Sequence, residues 1–106
     1  MSLDKIKMVD AIGLDRADGT VVLSIVDSKK WIDEAEYLRA LQDKINAYFE
    51  FIESGQVIAD YPYANGRALR INIVSKTPMS SSALEFLGRA SMVGAQINVT
   101  ISHQTV

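Results

Sequence analysis

Leu38, Leu41, Ile45, Tyr48 and Ile52 recur at alternating intervals of three and four residues. That spacing keeps side chains on one face of a helix and is incompatible with a strand. The stretch 31–55, WIDEAEYLRALQDKINAYFEFIESG, therefore reads as one long amphipathic helix around which the chain is organised. Trp31, Leu38, Leu41, Ile45, Phe49 and Ile52 share one arc, with Tyr37 and Tyr48 on its flank and Glu36, Arg39, Asp43, Asn46 and Glu50 on the far side. Asp33, Glu34 and Glu36 place negative charge in the first turns, where the helix dipole favours it. Ser28 or Asp27 is expected to cap the helix, and Gly55 to end it in a left-handed conformation. Trp31, at the helix start, is expected to pack down onto a sheet.

Alternation with a period of two marks the strands. Residues 7–15 (KMVDAIGLD) predict a first strand, with Asp10 in conflict with an otherwise apolar face of Met8, Ile12 and Leu14. Asp18-Gly19 is a hairpin turn signal, and residues 20–27 (TVVLSIVD) form a β-branched second strand antiparallel to the first. Val57 and Ile58 suggest a short turn under the helix end, and Tyr61-Pro62-Tyr63 with Asn65-Gly66 a loop. Residues 67–76 (RALRINIVSK) predict a third strand, broken by Pro78. Ser82 with Glu85 fits a capping box ahead of a second helix over 83–94. Residues 96–102 (QINVTIS) alternate as a fourth strand with one polar face. His103 falls in a tail expected to fray.

The order is β-β-α-β-α-β, and the last β-α-β unit is expected to be parallel and right-handed. The fold class that follows is α+β, a two-layer sandwich with two helices on one face of a four-stranded mixed sheet. Arg70, Asn72, Asn98 and Thr100 would line the open face. No linker or repeat interrupts residues 1–106, which read as a single domain.

Composition removes several function classes. The chain has no cysteine, which excludes disulfides, thiolate metal sites and cysteine nucleophiles and suits a reducing cytoplasm. The net charge is −2, and eleven Lys and Arg are scattered among thirteen acids, so the basic patch of a nucleic-acid binder is missing. No apolar run is long enough for a membrane span, and the N-terminal residues lack the apolar region of a signal peptide. One histidine and no ligand-spaced acids suggest neither a metal nor a cofactor. No constellation of catalytic residues is visible. Ser80-Ser81-Ser82 at a helix start could hold an anion, but a helix cap does the same work with no ligand and is the preferred reading.

Two candidate surfaces remain. Phe51 falls outside the core arc of the long helix, beside Ala40, Lys44 and Ala47. Either another part of the chain covers this strip, or it is a contact with a second copy or another protein. Tyr63, Arg67 and Arg70 could instead form an anion-binding rim near the 61–67 loop. The leading expectation is a non-catalytic protein-interaction module, homodimeric or of the immunity type that neutralises a toxin enzyme. The alternative is a small-anion binder or weak enzyme at that loop.

Three segments carry a resemblance. They are Val9-Asp10-Ala11-Ile12-Gly13-Leu14-Asp15 with the VVLSIVD strand, the LQDKINAYFEFIESG stretch preceded by the Asp27…Trp31 spacing, and Tyr61-Pro62…Gly66-Arg67. Together they resemble a family of small bacterial proteins known only as a domain of unknown function. In such proteins a His often stands near the position of Tyr37. The resemblance is carried as far as the triple serine. It implies a stand-alone bacterial cytoplasmic domain and supplies no activity, substrate or catalytic residue.

Overall fold

The computed structural model describes residues 9–27 and 31–106. The hairpin comes first: β1 (Ala11–Leu14) pairs antiparallel with β2 (Val21–Asp27). Its turn is held locally. Asp15 and Asp18 carboxylates accept from the Ala17 and Thr20 N–H groups, and Gly19 takes φ 76°. The expected residues 7 and 8 of the first strand lie outside the described residues.

α1 (Glu34–Glu53) is a single unbroken helix. Its start corrects the sequence expectation: Asp33, extended at φ −101°, is the cap, and its carboxylate accepts from Ala35 N and Glu36 N. Asp27 is not the cap but accepts from Trp31 Nε1 at 2.9 Å; Ser28 lies outside the described residues. Trp31 therefore precedes the helix. It is partly buried against the core, 5.6 Å from the Tyr37 ring. Gly55, at φ 83°, ends α1 and lets the chain turn into α2 (Gln56–Asp60), a one-turn helix that buries Val57. A 3-10 turn at Pro62–Ala64 follows.

β3 (Leu69–Ser75) pairs parallel with β2, and β4 (Val99–Thr105) pairs parallel with β3, giving the order β1-β2-β3-β4. Between them runs α3 (Ser81–Ala95). Ser80, not Ser82, caps α3, accepting from Ala83 N at 3.2 Å. The fourth strand starts three residues later than the alternation suggested. Asn98 adopts φ 60°, a conformation asparagine tolerates better than most residues, and this turn takes Ile97 and Asn98 out of the sheet. The strand then runs on through His103, which pairs with Ile73 rather than fraying.

The result is an α+β fold, with the helices packed on one face of a four-stranded mixed sheet. Val21, Leu23 and Ile25 of β2 alternate into the core with Ile71 and Ile73 of β3 and Val99 of β4. Leu41, Ile45, Tyr48 and Phe49 of α1 and Ala83, Leu87 and Ala90 of α3 close over them. The opposite face is polar at its centre, where Ser102 Oγ donates to Asn72 Oδ1 at 2.9 Å.

Candidate functional site

One group of titratable side chains among the described residues is buried. Lys44 Nζ lies 3.3 Å from Asp10 Oδ1, and neither side chain has any solvent exposure. Asp10 Oδ2 accepts from Val26 N, and Asp10 N donates to the Tyr48 hydroxyl. That hydroxyl in turn donates to the Ser24 carbonyl at 2.7 Å. The Lys44 ammonium also sits 5.6 Å from the Tyr48 ring centroid. Burial pushes the Tyr48 hydroxyl well above the ordinary phenol range; the Asp10 N–H it accepts opposes the shift, and the Asp10 carboxylate adds to it. Asp10 thus answers its own conflict in the sequence: an acid on an apolar face, matched by a lysine on the flank of α1. The network resembles catalytic machinery in composition, but its side chains are closed off from solvent.

Lys44 accordingly faces inward and is not part of an outward strip. Ala40, Ala47 and Phe51 are each partly buried, and Phe51 packs against the core. The hollow beside Phe51 is bordered by Asp43, Asn46, Glu50, Ser54 and Gln56. Any partner at α1 therefore meets carboxylates as well as the ring.

Arg67 of the 61–67 loop and Arg70 of β3 both meet the hairpin turn, and Tyr63 joins them through its carbonyl contact with Arg67. Arg67 Nε donates to the Tyr63 carbonyl and Nη1 to the Gly19 carbonyl. Arg70 reaches Asp15 and Asp18, both at 3.4 Å. Asp18, an exposed residue, is held below the ordinary carboxylate range, first by the N–H and hydroxyl of Thr20 and further by Arg70. Tyr63 is exposed and stands edge-on to Tyr61, with ring centroids 6.3 Å apart. The two arginines thus tie the loop to the turn, and an incoming anion would compete with two carboxylates already in place. Among the described residues no three His, Asp or Glu side chains group as a metal site.

The sequence reading did not single out the surface formed by α3 and β4. Leu84 and Met92 are 44% and 73% exposed on the outward side of α3, one turn either side of Gly88. Ser91 and Ala95 share a shallow hollow with Thr100 and Ile101, so this side of α3 adjoins β4. β4 ends the sheet order, and no strand among the described residues pairs with its outer edge. The signal lay in the composition of VTISHQT, which lacks Lys, Glu, Asp and Pro, the residues that usually blunt an edge.

The family model for DUF6572, a family of unknown function, matches residues 1–106. The chain belongs to DUF6572. The match extends beyond the triple serine, so α3 and β4 belong to the DUF6572 domain as fully as the hairpin and α1 do. No curated protein and no solved structure matches this DUF6572 chain. No helix among its described residues is long and apolar enough to cross a membrane.

Proposed function

We propose that this DUF6572 chain is a non-catalytic protein-interaction module that receives an extended polypeptide along the outer edge of β4. The observation that carries the reading is that edge: seven residues long, free of Asp, Glu, Lys, Arg and Pro, and adjoined by α3, which exposes Leu84 and Met92. An unpaired strand presents a row of backbone N–H and C=O groups whose natural complement is another strand. Apolar side chains beside it add area that water contacts unfavourably. The opposite edge is a poorer dock: β1 has only four residues. Sealing of Asp10, Lys44 and Tyr48 in the core supports the non-catalytic part of the reading. The small-anion alternative has less support, because Arg67 and Arg70 already serve the hairpin turn. The cysteine-free composition suits a cytoplasmic setting.

The test is photo-crosslinking in living cells with a photoreactive side chain incorporated at Met92, and separately at Asp43 on α1. The expected result is a discrete polypeptide adduct from Met92 and none from Asp43. A toxin enzyme in that adduct would identify the immunity-type version. Adducts from Asp43 alone, or none from either position, would remove the reading.

A further inference from the structure

We propose that the occupant of the β4 edge is a second copy of this chain, related to the first by a two-fold axis that passes beside Ser102 and Gly88. The proposal rests on the docking edge described above and specifies what docks there.

Charge is the first argument. The chain carries net negative charge, and α1 presents Glu34, Glu36, Asp43, Glu50 and Glu53 outward against Arg39. Two copies meeting through α1 would set like charges together. β4 contains no Asp, Glu, Lys or Arg, and the only such residues of α3 are Glu85 and Arg89, of opposite sign and paired at 3.1 Å. Among the described residues, the α3–β4 face lets two identical, acidic chains meet with less repulsion than α1 does.

Geometry is the second. Gly88 is the middle residue of α3 and Ser102 the middle residue of β4. The two elements are nearly equal in length, about 22 Å for the helix and about 23 Å for the strand. They also lie side by side, because Ser91 and Ala95 adjoin Thr100 and Ile101. One axis normal to the sheet can therefore serve both. It pairs β4 antiparallel with its copy, sets Thr100 across from Gln104 of the other chain, and lays Leu84 of one α3 against Met92 of the other. Such an interface is isologous and closes on itself.

Gly88 is the third. A glycine inside a helix weakens it relative to alanine. Nothing among the described residues requires it: its φ is not positive, and an added Cβ would meet none of them within 4 Å. At the axis, the missing side chain allows two helix backbones to approach closely.

Sedimentation velocity of the full chain, from low to high micromolar concentration, tests this. The expected result is conversion to a species of twice 11.7 kDa. Thr100→Lys with Gln104→Lys sets like charges opposite each other across the axis and is expected to weaken the dimer about tenfold or more. Thr100→Lys with Gln104→Glu sets opposite charges there and is expected to restore it, with circular dichroism confirming that both variants fold. Gly88→Ala is expected to raise the melting temperature at low concentration while weakening the dimer, opposite signs that a role confined to the monomer would not produce. A wild-type chain that stays monomeric throughout, or a dimer indifferent to the Lys/Lys pair, overturns the proposal. A monomer whose Met92 still crosslinks to a different protein overturns the two-fold but keeps the docking edge. A monomer with no adduct at Met92 loses both.

Discussion

The Lys44 ammonium meets the Asp10 carboxylate at 3.3 Å across 34 residues of chain, with both side chains removed from solvent. Removing one partner of such a pair leaves a buried charge less well compensated, which typically costs up to about 3–5 kcal/mol. Lys44→Met alone and Asp10→Ala alone are each expected to lower the unfolding free energy by about that amount in urea titrations. The double variant Lys44→Met with Asp10→Asn is expected to be more stable than the sum of the singles implies. It removes both charges, and the asparagine amide oxygen can still accept from Val26 N.

Tyr48 links the same network to β2 through the Ser24 carbonyl. Tyr48→Phe is expected to cost about 1–3 kcal/mol, because Asp10 N and Ser24 O each lose a buried partner. The alkaline limb of the stability curve tests the electrostatic side. The folded state holds the Tyr48 proton more tightly than the unfolded chain does, chiefly through burial. That contribution is fully present below the ordinary phenol value of about 10 and is lost as pH rises from there toward the folded value. Thermal unfolding should therefore show falling stability above about pH 10. The slope should be shallower in Tyr48→Phe but not abolished, since burial and the Asp27 charge raise Tyr37 as well.

The two helix caps can be located by substitution. Asp33→Ala and Ser80→Ala are each expected to cost about 1 kcal/mol, since each side chain accepts N–H groups the helix leaves unpaired. Ser82→Ala should be close to neutral. Equal losses at Ser80 and Ser82 in denaturant titrations would contradict the observed helix start.

Two glycines of α3 should respond in opposite directions. An added Cβ at Gly94 would stand 2.7 Å from the Val99 carbonyl oxygen and 3.6 Å from Phe49 Cε1. Gly94→Ala is therefore expected to destabilise by about 1–3 kcal/mol, read from the denaturation midpoint. Gly88→Ala, measured where the chain is dilute, should stabilise by about 1 kcal/mol.

Periodicity made the architecture legible, because the spacing of apolar side chains follows directly from helix and strand geometry. It identified β2, α1, β3 and α3 and their layering. The errors lie where local hydrogen bonds override the pattern. Asp33 captures the start of α1 from the more distant Asp27, and Ser80 does the same for α3. Asn98 turns the chain before β4, so apolar Ile97 looks like a strand position without being one. Helix spacing sets Lys44 beside Ala40 and Ala47 but hides its buried environment, because lysine is ordinarily exposed and its partner lies far off in sequence. The β4 edge was hidden for a different reason. Strand order in the sheet is a property of the assembled fold, and QINVTIS reads the same for a central strand as for an outer one.

The Asp10 network also discriminates between packings. Sliding α1 by one turn over the sheet would leave the hydrophobic stripe largely matched, since leucine and isoleucine recur along it. It would also separate Lys44 from Asp10 and Tyr48 from Ser24, at about 1–3 kcal/mol for each buried contact broken. A few such groups rival the whole margin of a small domain, about 5–15 kcal/mol. Greasy contacts alone would tolerate several alignments of helix and hairpin, and these polar groups accept one. A variant with this network replaced by aliphatic side chains should therefore still collapse, but into exchanging alignments visible as broadened amide resonances for α1.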